Sequence, residues 1–438
     1  SFRSTLEPLW EKSRISEDVD AVFFDADGDG DQDLYVVSGG NEYSSRSPAL
    51  IDRFYRNQGH GRLQRDKAAL PRFYASGACA RPADFDGDGD LDLFVGSRSV
   101  PWQYGKSPRQ YLLQNDGRGR FTDVTEHLAP DLLQAGMVTD ARWVDVDRDG
   151  ALDLVVVGEW MPVSVFLNRQ GRLINATSRF GLDSTEGWWN CLAAADINGD
   201  GFTDLIAGNL GQNTKLKASR HRPIRLYLAD FDHNGMVDPI LCYNTSSGQY
   251  PLPLLPDLLQ QLPYLTKRFP THASYAAKPI EQIFTPGELA AAEVKRAYLF
   301  SSTLFLGGAD GRFRRQELPD PAQLAPIYTL LVKDFNGDGH LDVLLAGNFY
   351  GATPQLARFD ADYGTLLLGN GAGQFQAVEP ERSGLCLRGQ VRRSAILNHR
   401  TYHRVLLFAR NNDALLVYRP LGKWRAQLEA NEKRERAE

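Results

Sequence analysis

The sequence predicts an all-β protein, a seven-bladed β-propeller with six blades as the alternative, in which acidic loops join the first two strands of most blades and one helical insertion interrupts the pattern. Three observations carry this reading. An acidic nine-residue frame occurs six times, each copy lies between two apolar runs of strand length, and a glycine-centred hairpin follows most copies.

The frame is clearest in ADFDGDGDLDLFVG, residues 83 to 96. Asp84, Asp86, Asp88 and Asp92 occupy positions 1, 3, 5 and 9, with the carbonyl of Asp90 at position 7 and a glycine at position 6 for the sharp turn. Oxygen ligands at this spacing converge on a hard cation such as Ca²⁺. Without a metal, four carboxylates so close together repel one another. The same frame reads Asp25, Asp27, Asp29, Asp33 with the Asp31 carbonyl, and Asp145, Asp147, Asp149, Asp153 with the Ala151 carbonyl. It continues as Asp196, Asn198, Asp200, Asp204 with Phe202, and as Asp230, Asp232, Asn234, Asp238 with Met236. The last copy is Asp334, Asn336, Asp338, Asp342 with His340. Successive copies start 59, 61, 51, 34 and 104 residues apart. Five to six calcium sites are expected, the fifth copy differing in that Pro239 directly follows its last aspartate. An EF-hand is excluded, because position 12 is Val36 or Val95 rather than glutamate and the flanks are strand-like.

The second repeat appears as FYRNQGHGRL, YLLQNDGRGRF, VFLNRQGRL, LFLGGADGRF and LLLGNGAGQF, each a hairpin signal. One unit therefore reads strand, acidic loop, strand, long loop, strand, glycine hairpin, strand, which is a four-stranded blade. A seventh inner pair without an acidic loop is GQVRRSAILN with RVLLFARNN. Residues 209 to 223 are too few for a hairpin, so the fourth blade is expected to lack its outer strands. Residues 245–298 form a helical insertion in blade five, between its second and third strands. The single domain spans 1–420, SFRST at the N-terminus is expected to close the ring beside LLVYRP, and 421–438 is a charged tail.

The repeated Asp-x-Asp-Gly-Asp-Gly-x-x-Asp-Leu frame between strands resembles the FG-GAP or VCBS repeats of integrin-α-type β-propellers. GEWMPVSVFLN, GWWN, GNLGQNTKLKAS, RLYLADFDHNGMVDPILCY, LLAGNFYG and LLFARNND extend the resemblance to bacterial envelope proteins grouped with cartilage acidic protein and the ASPIC/UnbV proteins. It implies a secreted or outer-membrane-associated protein at a bacterial cell surface, and an accessory role in a larger envelope complex.

Composition agrees with such a setting. Hydrophobic residues make up 42% and mean hydropathy is −0.38, and no apolar run reaches the roughly 18 residues of a transmembrane helix. The first residues have no apolar signal-peptide core, so the chain reads as a piece of a longer exported precursor. Acid-rich calcium loops fit the millimolar calcium found outside the cytoplasm. The four cysteines lack metal spacing and read as buried free thiols. The net charge of −6 conceals twenty-one loop carboxylates, and the rest of the chain sums to +15. No nucleic-acid-binding motif is present.

Strand order sends the acidic loops and glycine hairpins to one face and the longer loops to the other. Those longer loops carry Trp102, Tyr104, Trp188, Trp189 and Tyr350, the expected anchors for a protein or glycan ligand, with the 245–298 insertion as a rim. Catalytic signatures are lacking: there is no Ser/His/Asp arrangement, no H-E-x-x-H and no phosphate loop. The alternative is a polysaccharide lyase or hydrolase using Asp360, Asp362 and Tyr363. The reading that follows is a calcium-stabilised binding module rather than an enzyme.

Overall fold

Six antiparallel strand pairs close on the six acidic frames in a single register. The last residue of one strand faces the position-9 aspartate that opens the next: Phe24 with Asp33, Ala83 with Asp92, Val144 with Asp153, Ala195 with Asp204, Ala229 with Asp238 and Lys333 with Asp342. β-branched and aromatic residues make most of these pairs favourable on a buried, pleated surface, the strand Cys191–Ala195 with its alanines being the exception. The computed structural model describes residues 13–399 and 403–419, and it is all-β, built of antiparallel sheets, most of them four-stranded.

The chain forms two compact units. The first comprises 1–178, 183–186 and 219–298. It holds a first sheet of Glu17–Phe24, Asp33–Gly39, Arg53–Asn57 and Leu63–Arg65, with neighbouring strands in sequence order. The second sheet, Ser76–Ala83, Asp92–Ser99, Tyr111–Asn115 and Phe121–Asp123, repeats that order, as does the third, Met137–Val144, Asp153–Met161, Ser164–Arg169 and Arg172–Asn175. The first strand of each packs beside the first strand of the next. Phe24, Phe54 and Phe121 meet edge to face between sheets one and two, while Phe94, Val138 and Phe166 belong to the core shared by sheets two and three.

The second unit comprises 179–182, 187–218 and 299–438. Its first sheet begins with Cys191–Ala195 and Asp204–Gly208 and is completed by Thr303–Leu306 and Arg314–Glu317. The expectation that this fourth blade lacks outer strands is therefore corrected. Leu205 faces Phe305 and Ala207 faces Thr303, so the LFLGGADGRF hairpin belongs here and not to the fifth frame. The Gly211 N–H donates to the Phe300 carbonyl at 2.7 Å, so the chain leaves this sheet and re-enters it at adjacent points. The next sheet is Ile327–Lys333, Asp342–Gly347, Thr365–Gly369 and Phe375–Ala377, and the last is Val391–His399, His403–Arg410 and Leu416–Tyr418.

Between the two halves of the fourth sheet's sequence lies the fifth frame, on a sheet of its own in the first unit. Its strands run in the spatial order Gly248–Pro251, Asp238–Thr245, Ile224–Ala229, Glu293–Ala297. Ile224–Ala229 and Asp238–Thr245 do not join the fourth sheet, which was the condition for the six-blade alternative. The helical segment falls between Pro251 and Glu293 and packs Leu258, Leu262, Phe269 and Phe284 onto Phe231 and Ile240. Thr271 and Thr285 each open a short helix with a capping box. The proposed closing strand SFRST and the charged tail lie outside the described residues. Cys79, Cys191 and Cys242 are buried as expected, whereas Cys386 is exposed.

Candidate calcium loops and loop-end aromatic sites

Each acidic loop is held by its own carboxylates. The position-1 aspartate accepts the N–H of the position-6 glycine in all six copies, at 2.8–3.0 Å. Those glycines, from Gly30 to Gly339, have φ between +82° and +95°, a conformation in which a side chain is strained. The position-5 side chain accepts the position-7 N–H in every copy: Asp31, Asp90, Ala151, Phe202, Met236 and His340 all donate this bond. Five different residue types at position 7 keep the same backbone hydrogen bond, so this contact does not constrain the side chain there.

The position-9 aspartates are the most buried members, none more than 5% exposed. One oxygen accepts the position-2 N–H of the same loop, from Ala26 to Phe335. In five copies the other oxygen accepts an N–H at the end of the third strand: Asn57, Asn115, Asn168, Gly307 or Gly369, at 2.7–2.9 Å. The acidic loop and the glycine hairpin are thereby tied together, a link the sequence motif does not show. In the fifth copy the hairpin is missing, and the Gln261 amide at the end of helix Leu255–Gln261 donates to Asp238 at 3.3 Å instead.

The hairpin asparagines also reach the preceding sheet within the first unit. Asn115 donates to the Ala26 carbonyl at 2.8 Å and Asn168 to the Phe85 carbonyl at 2.5 Å, both carbonyls at position 2 of the neighbouring acidic loop. The loops of sheets one, two and three are consequently strung together by side-chain amides.

The donor set fits a hard divalent cation. Carboxylate oxygens of Asp25, Asp27 and Asp29, of Asp84, Asp86 and Asp92, of Asp145, Asp147 and Asp153, and of Asp230, Asp232 and Asp238 converge within 4.8 Å in each group. Pro239 does not disturb the fifth group, since it sits in a strand opposite Leu228. Burial pushes Asp92 up to about 7 and Asp153 up to about 6, and the neighbouring loop carboxylates push the same way. Guanidinium groups lean into two of these clusters: Arg56 pairs with Asp27, and Arg169 with Asp147. In the fourth and sixth loops the amides of Asn198 and Asn336 donate to Asp200 and Asp338, at 2.9 and 2.8 Å.

The aromatic candidates divide sharply by burial. In the first unit Trp102 is 54% exposed, has φ +64°, and is fixed by its N–H to the Asn41 side-chain oxygen at 2.8 Å. Such a conformation is costly for a bulky residue and persists only where its surroundings hold it. Nearby, Tyr104 donates its hydroxyl to Glu159 at 2.6 Å and accepts from the indole N–H of Trp160 at 3.0 Å, while Arg98 pairs with Glu159. In the second unit Trp188 is half-buried against Phe300, and Tyr350 is half-buried beneath the Arg358 guanidinium, 3.5 Å from its ring centre. Trp189 is fully buried edge-on to Phe305, which corrects its assignment as a ligand anchor. Its neighbour in sequence, Trp188, stays half-buried, and only packing decides which of the two is inside.

Asn209 is also buried, accepting the Trp188 N–H and donating to the Leu299 carbonyl. Asp362 holds backbone, accepting from the N–H groups of Gly347 and Gly364, and burial raises it to about 6. Asp360 is exposed and pairs with Arg358 at 3.4 Å. The pair Asp360 and Asp362 thus divides between a surface ion pair and a strand-end brace.

A family model of the FG-GAP-like repeat matches residues 25–95 and 145–207. No curated protein matches the sequence. Among solved structures, the V. cholerae biofilm matrix protein Bap1 is 10% identical with a TM-score of 0.33, covering 93% of this chain and 89% of that one. The exotype rhamnogalacturonan lyase YesX is 13% identical with a TM-score of 0.38, covering 92% of this chain and 55% of that one. Likeness of this degree defines neither a fold nor a function. Among the described residues no helix is long and apolar enough to cross a membrane.

Proposed function

Because this chain is built on FG-GAP-like repeats, we propose that it is a calcium-stabilised binding module of the cell exterior, its sheets arranged as propeller blades, that engages a glycan or protein partner through its long loops. Ca²⁺ would be held by the frame aspartates and asparagines, together with the position-7 carbonyls. A hard cation would satisfy the carboxylates that burial and mutual repulsion now push towards protonation. Millimolar calcium outside the cytoplasm supports an extracellular location, and a place in an outer-membrane assembly is part of the same proposal.

The observation that carries the binding role is Trp102. An indole 54% exposed, yet locked in a strained backbone conformation beside the Tyr104–Glu159–Trp160 network, is a pre-organised anchor. The test measures binding of the calcium-loaded chain to a glycan array and to candidate surface proteins. Trp102→Ala is expected to weaken the interaction found by about 1–4 kcal/mol with an unchanged melting temperature. Arg118→Ala, on a glycine hairpin, is expected to leave it intact. Binding lost in the hairpin variant and kept in the tryptophan variant would refute the assignment of the loops.

A further inference from the structure

The second unit contains a cavity of about 400 Å³ between two loops, residues 212–217 and 356–361. Its size falls within the roughly 300–1,000 Å³ of small-molecule sites. Its lining mixes apolar groups of Leu356, Ala357, Phe359 and Ala361 with an unevenly charged polar set. The ammonium of Lys215 donates to the Gln355 carbonyl and that of Lys217 to the Gln212 carbonyl, each at 3.0 Å. Neither lysine has a carboxylate partner among the described residues, so two full positive charges face the cavity with most of their donors unused. A third cation, Arg358, is offset by Asp360 and stands over the Tyr350 ring.

Two residues with amide oxygens, Gln212 and Asn213, line the same space. Gln212 spends its amide N–H on Glu317 at 2.8 Å and Asn213 spends its own on the Leu324 carbonyl at 3.0 Å. These bonds fix both amide orientations, and among the described residues no protein donor engages either amide oxygen. Asp360 adds a further acceptor beside Arg358. A simple anion would use the lysines and have nothing to give the acceptors. An acidic peptide would offer only scattered backbone N–H donors, not adjacent hydroxyls on one rigid ring. A sugar ring bearing a carboxylate supplies both: an anion for Lys215 and Lys217, and hydroxyl donors for Gln212, Asn213 and Asp360.

The geometry points to a subsite for a uronic-acid unit of an anionic polysaccharide at this cavity, an inference that rests on the binding-module reading and specifies its ligand. The experiment uses isothermal titration calorimetry on the full calcium-loaded chain with a hyaluronan tetrasaccharide. Its carboxyl-reduced counterpart, a tetraglutamate peptide and inorganic phosphate serve as comparison probes. The tetrasaccharide is expected to bind, to bind at least tenfold more weakly after carboxyl reduction, and to weaken as salt rises. The double variant Lys215→Gln with Lys217→Gln is expected to lose at least tenfold in affinity without a change in melting temperature. Arg358→Gln, made separately, is expected to lose affinity less steeply. No binding by the wild type, binding untouched by the double variant, or phosphate or tetraglutamate binding as tightly with the same lysine dependence would each overturn the assignment. Tetrasaccharide binding abolished by Trp102→Ala and unaffected by the lysine variants would overturn this subsite alone and leave the binding-module reading standing.

Discussion

Asp52 and Gln110 stand at the same place in successive sheets, just before the third strand, and do the same work with different chemistry. Asp52 accepts the Ser38 N–H at 2.7 Å and the Tyr35 hydroxyl at 2.6 Å; Gln110 accepts the Ser97 N–H at 2.6 Å. Asp362 repeats the device on Gly347. Burial raises Asp52 from its ordinary 3.8 to about 7, against the opposing pull of those hydrogen bonds and of Arg53. Because the folded state keeps this proton while the unfolded state releases it, the stabilisation is complete below about pH 4 and is lost as pH rises towards 7. Asp52→Asn should keep the N–H bond, as Gln110 does, and flatten that decline. Melting temperatures in saturating calcium across pH 4.5 to 8 check this. An undiminished slope would show that Asp52 is not its source.

At the scale of the elements, the acidic loop, the glycine hairpin and the neighbouring sheet form one hydrogen-bonded unit. Asn168 links three parts: its N–H donates to Asp153, its amide to the Leu152 carbonyl and to the Phe85 carbonyl of the preceding loop. Asn168→Ala leaves the Phe85 carbonyl without this donor and should cost about 1–3 kcal/mol. It should also weaken calcium at the loop beginning with Asp84, as read by calcium titration of the variant. Unchanged affinity would mean that this hydrogen bond does not couple the two loops. Chelation tests the loops together. With EDTA the raised Asp92 and Asp153 make the metal-free protein lose stability as pH rises from about 4 towards 7. Calcium needs those carboxylates ionised, so the increment it adds to the melting temperature should grow over the same interval. A melting curve indifferent to EDTA at pH 7.5 would sink the structural role of the metal.

For the whole molecule the dominant quantity is charge. The formal net charge is −6, and six divalent cations would take it to +6. Few ligands reverse the sign of a protein of this size, and the reversal should be visible on an ion-exchange column. At pH 7 and low ionic strength the calcium-loaded chain is expected to pass an anion exchanger that retains the EDTA-treated chain. Retention in both states would mean that fewer than half of the loops are filled. A positive calcium-loaded surface also agrees with an anionic partner, since opposite charge raises the rate of encounter.

The acidic loops were legible in the sequence because everything that defines them is contiguous: alternating oxygens, a glycine for the turn, and apolar runs on each side. The structure keeps the same register in all six, including the fifth with Pro239. The glycine hairpins were equally plain, because a tight turn is written in two or three adjacent residues. Which strands the hairpin at residues 303–317 would join was not legible. Its partners, Asp204–Gly208, lie nearly a hundred residues earlier, across an inserted sheet and its helices, and pairing at that separation leaves no local mark. The same holds for Trp188 and Trp189, identical in type and adjacent in sequence, of which packing against Phe305 buries one completely. It holds too for Asp360 and Asp362, where the N–H groups of Gly347 at a strand end and of nearby Gly364 claim the second carboxylate. Local chemistry determined the loops and turns of this protein. Long-range burial and backbone hydrogen bonding decided strand partnership and which polar and aromatic side chains remained available to a ligand.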